Sequence, residues 1–153
     1  MKKIFTIGYS GVEITRFIEI LKENGIKTLA DIRKYPVSDQ EGFEGSALKF
    51  RCRTNGIEYV SLTNLGNPRK YWHEKNWKTL YRDNVLAHKM DGIAIQLGKL
   101  VQPIALMCRE KKHCDCHRAI LAEEMGNRGV QVEHIDCFIS KGDPKQSSVF
   151  EWI

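Results

Sequence analysis

The sequence predicts a three-layer α/β domain, which has a mainly parallel sheet of about five strands with helices on both faces. Short apolar runs rich in β-branched residues alternate with segments of helical periodicity, and this alternation is typical of βαβ units. The length of 153 residues suits a single domain, which we place at residues 1–137, with a C-terminal tail at residues 138–153.

The first βαβ unit occupies the N-terminal part of the chain. A β-rich run predicts a strand over residues 3–7. Ser10 and Glu13 have the spacing of a capping box, which predicts Ser10 as the cap of the first helix. Apolar residues then recur at helical spacing until the Asn24-Gly25 pair ends the helix. A second strand is predicted over residues 27–32.

The same alternation continues to residue 135. Ser46 is placed to cap a helix over residues 47–55, and a third strand follows at residues 57–62. Residues 73–100 are predicted to be mostly helical, with a break near Asp91-Gly92. The remaining elements are a fourth strand over residues 103–107, a helix from Asp115 or Cys116 to about Asn127, and a fifth strand over residues 130–135.

Composition and charge restrict the classes of protein that fit. Lysine and arginine outnumber aspartate and glutamate by 24 to 19, and the resulting net charge of +5 permits an anionic partner without requiring one. The sequence shows no secretory signal and no apolar run that spans a membrane, so we expect a cytoplasmic protein without a membrane partner. Five cysteines with uneven spacing argue against a disulfide framework and for reduced thiols.

Polar and reactive residues follow most of the predicted strands, at the edge where open parallel α/β sheets bind ligands. We therefore predict a ligand cleft at this edge, and no cofactor. The candidate residues are Gly8, Tyr9 and Ser10 after the first strand, Asp31 and Arg33 at the second, Gly66 after the third, and Cys108 and Glu110 after the fourth.

The segment from Cys108 to Arg118 is the strongest local signal for chemistry. A loop and a helix N-terminus near Cys116 follow the strand end, and the free N–H groups and dipole of a helix N-terminus favour anions and thiolates. We therefore predict an anion site at Cys116 and Arg118, in the same cleft. Cys108 would be its nucleophile, with Glu110 or His117 as acid or base.

Metal binding is an alternative for the same segment. Cysteine and histidine are zinc ligands, but the spacing of Cys108, Cys114 and Cys116 differs from the two separated pairs of structural zinc sites. The leading interpretation therefore assigns no metal. Cys108 also fits a structural role as a small buried residue at a strand end.

Asp31 and Arg33 lie on one face of the second strand, because residues i and i+2 point the same way. They form either a structural ion pair or a ligand clamp, in which Arg33 holds an anion and Asp31 acts as a catalytic or orienting carboxylate. Tyr9 either stacks on a planar ligand or covers the end of the sheet. Ser10 is expected chiefly as a helix cap.

Residues 67–89 combine six basic residues with four aromatic residues and only two acidic residues. Cations interleaved with aromatic rings grip nucleic acid by charge and stacking. A solvated basic face over packed aromatic side chains has the same pattern. The segment therefore keeps a nucleic-acid-binding surface open as an alternative.

Several short blocks resemble, in the same order, the signature blocks of the domain of unknown function family 488. The resemblance extends over residues 3–137 and implies a compact single α/β domain, but it supplies no established reaction. The blocks are Thr6–Ser10, Asp31–Pro36, Gly56–Tyr59, Leu65-Gly66, and Leu106–Glu110 with Cys116–Arg118.

The leading functional prediction is an enzyme or ligand binder whose cleft takes a small anionic substrate similar to a phosphate or a nucleotide. An enzyme of this kind would depend on a cysteine or on a carboxylate. The first alternative is a nucleic-acid-binding module without catalysis that uses the surface of residues 67–89. The second alternative is a small zinc-binding protein.

Overall fold

One five-stranded sheet organises the computed structural model, which describes residues 1–139. All neighbouring strands are parallel, which confirms the predicted α/β class and the predicted parallel sheet. The strands are β1 (Lys3–Gly8), β2 (Thr28–Asp31), β3 (Glu58–Ser61), β4 (Ile104–Cys108) and β5 (Gln131–Ile135). Their spatial order is β3-β2-β4-β1-β5.

Helices connect the strands, as parallel pairing requires. A π-helical turn at Arg82–Leu86 extends the third helix, and short 3₁₀ turns lie at Thr63–Leu65, Arg69–Tyr71 and His113–Asp115. The α-helices are α1 (Ile14–Glu23), α2 (Gly45–Thr54), α3 (Trp77–Tyr81), α4 (Met90–Gly98) and α5 (His117–Gly126).

Two apolar clusters cover the two faces of the sheet, because successive strand side chains point to opposite faces. In β4, Ile104 and Leu106 belong to one cluster, whereas Ala105 and Met107 belong to the other. The first cluster includes residues of α4 and α5, and the second includes residues of α1 and α2. The sheet is therefore the middle layer of three.

Both serine caps predicted from the sequence are wrong. The carboxylate of Glu13 caps α1 by accepting hydrogen bonds from the backbone N–H groups of residues 15 and 16. Glu44 caps α2 in the same way through the N–H of Ser46. Gly11, with a φ of 79°, turns the chain before α1, so the helix begins too late for Ser10 to cap it.

The predicted helix break near Asp91-Gly92 is also wrong, because both residues lie inside α4. The chain leaves helical geometry earlier, at Ala87, whose ψ is 134°, and at His88, whose φ is 63°. A single glycine in a helix costs only about 1 kcal/mol relative to alanine, so packing on the sheet overrides it.

The described residues end two positions into the predicted tail. Only Phe138 and Ile139 of that tail lie within them, and residues 140–153 lie outside. Within residues 1–139, none of the helices has the length and apolar character needed to cross a membrane.

Candidate functional site

A pocket of about 420 Å³ lies at the carboxyl edge of the sheet. The edge brings β1, β2 and β4 together, since the register pairs Gly8 with Cys108 and Asp31 with Met107. Of the residues predicted from the sequence, the pocket is lined by Tyr9, Arg33, Cys108, Glu110, Cys116 and His117. The predicted residues that do not line it are Gly8, Ser10, Asp31, Gly66 and Arg118.

Gly8 permits the loop after β4 to cross over the end of β1. A β-carbon at this position would overlap the carbonyl oxygen of Glu110, so only glycine fits without moving the loop. The backbone N–H of Ser10 donates to the carbonyl of Arg109 at 2.9 Å, which holds the two strand ends together. Gly8 and Ser10 thus act through the backbone, and they position the loop that brings Arg109 and Glu110 to the pocket.

Cys108 and Cys116 form a disulfide, contrary to the expectation of reduced thiols. The number and spacing of the cysteines in the whole chain do not reveal this pair, because it depends on the path of the loop after β4. The loop between them returns so that the start of α5 meets the end of β4. Both residues are buried and both line the pocket.

Arg118 lies behind Cys108 and is only 1% exposed. Its guanidinium donates to the Cys108 sulfur at 3.4 Å and to the carbonyl of Glu110 at 2.7 Å. Among residues 1–139 no carboxylate pairs with it, and its Nε has no partner. Burial lowers the pKa of Arg118 to about 10, so the group remains charged at neutral pH. A buried cation without an ion pair among residues 1–139 therefore faces a cysteine sulfur.

His117 has a defined tautomer in this site. Its Nε2 lies 2.9 Å from the carbonyl oxygen of Ile32, which can only accept, so the proton is on Nε2. Burial lowers the pKa of His117 to about 4, so the ring is neutral at pH 7. Its Nδ1, 3.7 Å from the Cys116 sulfur, therefore carries a free lone pair.

The same three side chains are the candidate metal ligands. Cys108, Cys116 and His117 each offer one ligand atom, and these atoms lie within 4.8 Å of one another. A histidine ligand usually donates its second ring N–H to a carbonyl or carboxylate, as His117 does to Ile32. Only the reduced form offers these ligands, because a metal binds thiolates.

Asp31 and Arg33 form a buried ion pair, which is the structural one of the two predicted arrangements. The carboxylate accepts from Arg33 Nε at 2.9 Å, from Arg33 Nη2 at 2.7 Å and from the hydroxyl of Tyr59 at 2.5 Å. Burial alone would lower the pKa of Arg33, but the bonds and charge of Asp31 outweigh it and raise the pKa. The charges of Asp31 and Arg33 therefore neutralise each other.

The remaining donors of Arg33 also have protein partners. Its Nη1 donates to the carbonyl of Phe43 at 2.7 Å and to the hydroxyl of Tyr9 at 3.2 Å. The ring of Tyr9 stacks on Phe43, with centroids 4.4 Å apart and planes at 8°. The donors of Arg33 and the face of Tyr9 that stacks on Phe43 therefore already contact protein groups, while both residues also line the pocket.

The pocket rim contains residues that the sequence argument did not select. Tyr35 and Trp72 line the pocket, and the guanidinium of Arg69 lies 4.8 Å and 5.3 Å from their ring centroids. Tyr35 lies four residues after the end of β2 at Asp31, and its place in the loop after a parallel strand was the available signal. Arg69 and Trp72 come from the basic aromatic segment 67–89, which thus meets the predicted cleft.

These observations define the class of protein: a parallel α/β protein with a pocket of mixed charge at the carboxyl edge and a cysteine pair at its floor. The chain belongs to the family described as domain of unknown function DUF488, whose family model matches residues 13–125. This match confirms the resemblance inferred from the sequence. No curated protein and no solved structure matches the chain.

Proposed function

We propose that the chain is a cysteine-dependent enzyme that acts on a small anionic, nucleotide-like substrate in this pocket. The observation that carries the proposal is the contact between the buried guanidinium of Arg118 and the sulfur of Cys108, 3.4 Å apart. A cation in this position favours the thiolate over the thiol. Cys108 is the nucleophile of the reduced protein.

Reduction precedes the reaction. A dithiol reductant supplies two electrons and two protons and converts the disulfide into the free thiols of Cys108 and Cys116. The Cys108 thiol gives its proton to solvent in the pocket as the Arg118 guanidinium favours the thiolate, and the lone pair of His117 Nδ1 accepts a hydrogen bond from the Cys116 thiol. The Cys108 thiolate then attacks the phosphorus of a phosphate ester: the S–P bond forms as the P–O bond to the leaving alcohol breaks, and Glu110, exposed on the pocket wall, passes a proton to the leaving oxygen. Water then attacks the phosphorus with the help of the Glu110 carboxylate, which breaks the S–P bond, releases phosphate and restores the thiolate.

The charge of the lining supports an anionic substrate. Four basic residues line the pocket and two acidic residues oppose them. Arg33 is neutralised by Asp31, so Lys34, Arg69 and Arg109 provide the remaining positive charge. No side chain of residues 1–139 caps α5, whose first N–H groups therefore add a positive field beside Cys116.

Alkylation of the reduced, native protein tests the proposal. We expect Cys108 to react with iodoacetamide with an apparent pKa below the value of about 8.5 for an unperturbed thiol. Replacement of Arg118 by Met should raise this apparent pKa, whereas Arg118→Lys should retain part of the effect. Mass spectrometry reads each cysteine separately, which provides an internal control in Cys52. Burial raises the pKa of Cys52 to about 12, so it should react only on unfolding.

Two results would contradict the proposal. The first is a Cys108 that reacts as slowly as Cys52 in the native protein. The second is one tightly held zinc ion per reduced chain, lost on Cys116→Ser replacement, because a metal-bound thiolate is not a free nucleophile. That result would support the zinc-binding alternative instead.

A nucleic-acid-binding function is the second candidate, because Arg69, Trp72 and Trp77 of the basic aromatic segment line the pocket. Its affinity for a single strand should fall steeply with salt, with a log–log slope of about −0.7 per phosphate neutralised. Charge reversal at Lys75 and Lys78 should flatten this slope. An unchanged slope would remove this candidate.

A further inference from the structure

We infer that Tyr35, Arg69 and Trp72 form a subsite that stacks the nucleobase of a mononucleotide at the mouth of the pocket. The inference rests on the proposed function and specifies its substrate class. Phosphate chemistry would take place at the Cys108 end of the pocket, and the base would bind at the rim. All three rim residues line the same pocket as Cys108.

The two aromatic rings are open to solvent although both are large. Tyr35 is 43% exposed and Trp72 is 47% exposed. Neither ring belongs to the two apolar clusters that cover the sheet, so core packing does not account for them. Exposed aromatic rings beside cations are the surfaces on which nucleic-acid bases stack.

The rings form an angled pair rather than a closed stack. Their centroids lie 6.3 Å apart and their planes meet at 77°. Arg69 lies within cation–π distance of both rings, 4.8 Å from Tyr35 and 5.3 Å from Trp72. A flat base can therefore stack on the solvent-exposed part of either ring, and the guanidinium beside it adds a planar cation that also attracts phosphate.

The surrounding backbone holds this arrangement in place before any ligand binds. A β-carbon on Gly66 would overlap the backbone of Lys34, so the loop of Trp72 lies directly on the chain that leads to Tyr35. The indole N–H of Trp72 donates to the carbonyl of Asn67 at 2.8 Å, which fixes the orientation of the ring. The buried hydroxyl of Tyr81 donates to the carbonyl of Leu65 at 2.7 Å and anchors the same loop.

The size of the pocket favours a single nucleotide over a strand. A volume of about 420 Å³ lies at the lower end of the range for small-molecule sites, which is about 300–1,000 Å³. One base on the rim and one phosphate near the α5 N-terminus fill such a space. A strand would need further stacking positions along a groove.

Calorimetric titration of the full chain with 5′-AMP, ribose 5-phosphate and inorganic phosphate tests the inference. We expect the wild type to bind 5′-AMP about 5- to 150-fold more tightly than ribose 5-phosphate, since stacking supplies the difference. Replacement of Trp72 by Leu should abolish this preference and leave the affinity for ribose 5-phosphate unchanged. The Trp72→Phe variant, which keeps an aromatic face, should retain much of it.

A matched control is available on α2. Phe50 is 69% exposed and lies beside Lys49 and Arg53 in a separate surface depression, so it offers the same chemistry away from the pocket. The Phe50→Leu variant should bind 5′-AMP as the wild type does. An equal loss of preference in Phe50→Leu and Trp72→Leu would overturn the inference.

The other outcomes separate the inference from the proposed function. Binding of inorganic phosphate and ribose 5-phosphate without any preference for 5′-AMP would overturn the stacking subsite but leave the anionic pocket standing. Binding of none of the three compounds would overturn both. A single-stranded octanucleotide that binds far more tightly than 5′-AMP, with a steep salt dependence, would reassign the rim to nucleic acid and overturn the mononucleotide.

Discussion

Replacement of Asp31 by Asn distinguishes a structural from a catalytic carboxylate. Asp31 is fully buried, and three of its four hydrogen bonds come from Arg33. The Asn side chain keeps the shape but removes the charge, and it turns one acceptor into a donor that faces another donor. Breaking a buried pair in this way costs about 3–5 kcal/mol, because the remaining guanidinium stays buried without compensation.

Urea unfolding at pH 7, followed by far-ultraviolet circular dichroism, measures this loss in the free energy of unfolding. The Tyr59→Phe variant is the graded control, since it removes a single hydroxyl that bonds to the carboxylate at 2.5 Å and should cost about 1.5–3 kcal/mol. Joint replacement of Asp31 by Leu and Arg33 by Met should recover part of the stability, because the buried charge is gone while the Phe43 carbonyl and the Tyr59 hydroxyl lose their partners. The reasoning is refuted if Asp31→Asn changes stability by less than about 1 kcal/mol.

Two further predictions concern packing and pH. Gly8→Ala should lower the free energy of unfolding in urea by about 1–3 kcal/mol, because the new β-carbon overlaps Glu110. Gly98→Ala should raise it by about 0.5–1 kcal/mol, because the β-carbon at this position in α4 meets open space. Equal effects of the two replacements would contradict the close approach at Gly8. Burial and the nearby charges of His113 and Arg118 lower the pKa of His134 to about 3. Below about pH 6.5 the unfolded chain therefore binds more protons than the folded chain, so the free energy of unfolding falls as the pH drops. Between pH 7 and 5 the His134→Asn variant should lose about 2 kcal/mol less of this free energy than the wild type. If the free energies of unfolding of the two proteins fall in parallel with pH, His134 is not responsible.

The order of elements could be predicted from the sequence, because hydrophobic periodicity reports which residues face the sheet. Element ends could not be predicted as well, since several residues compete for each cap. Glu13 and Ser10 both have capping side chains, and the turn at Gly11 decides between them. The break at His88 depends on a positive φ at a residue other than glycine, which no local pattern shows.

The sequence predicts which residues lie at the strand ends of the candidate site, but it does not predict which side chains contact one another there. Parallel strands place Asp31 and Cys108 at one edge whatever the side chains do. Which donor meets which acceptor depends on three-dimensional contacts, such as those that commit Arg33 to Asp31 and Phe43. The disulfide likewise depends on the path of one loop, which the spacing of Cys108 and Cys116 does not reveal.

The strand order has a consequence for the timing of folding during synthesis. β1 and β2 never pair with each other, because β4 lies between them in the finished sheet. A growing chain that has not yet reached residue 104 can pair β2 only with β3, and its β1 has no neighbour. When β4 pairs with both β1 and β2, it joins the two parts of the sheet and places Cys108 at the carboxyl edge. A chain that ends before residue 104 therefore lacks both Cys108 and the strand that completes the pocket edge of the sheet.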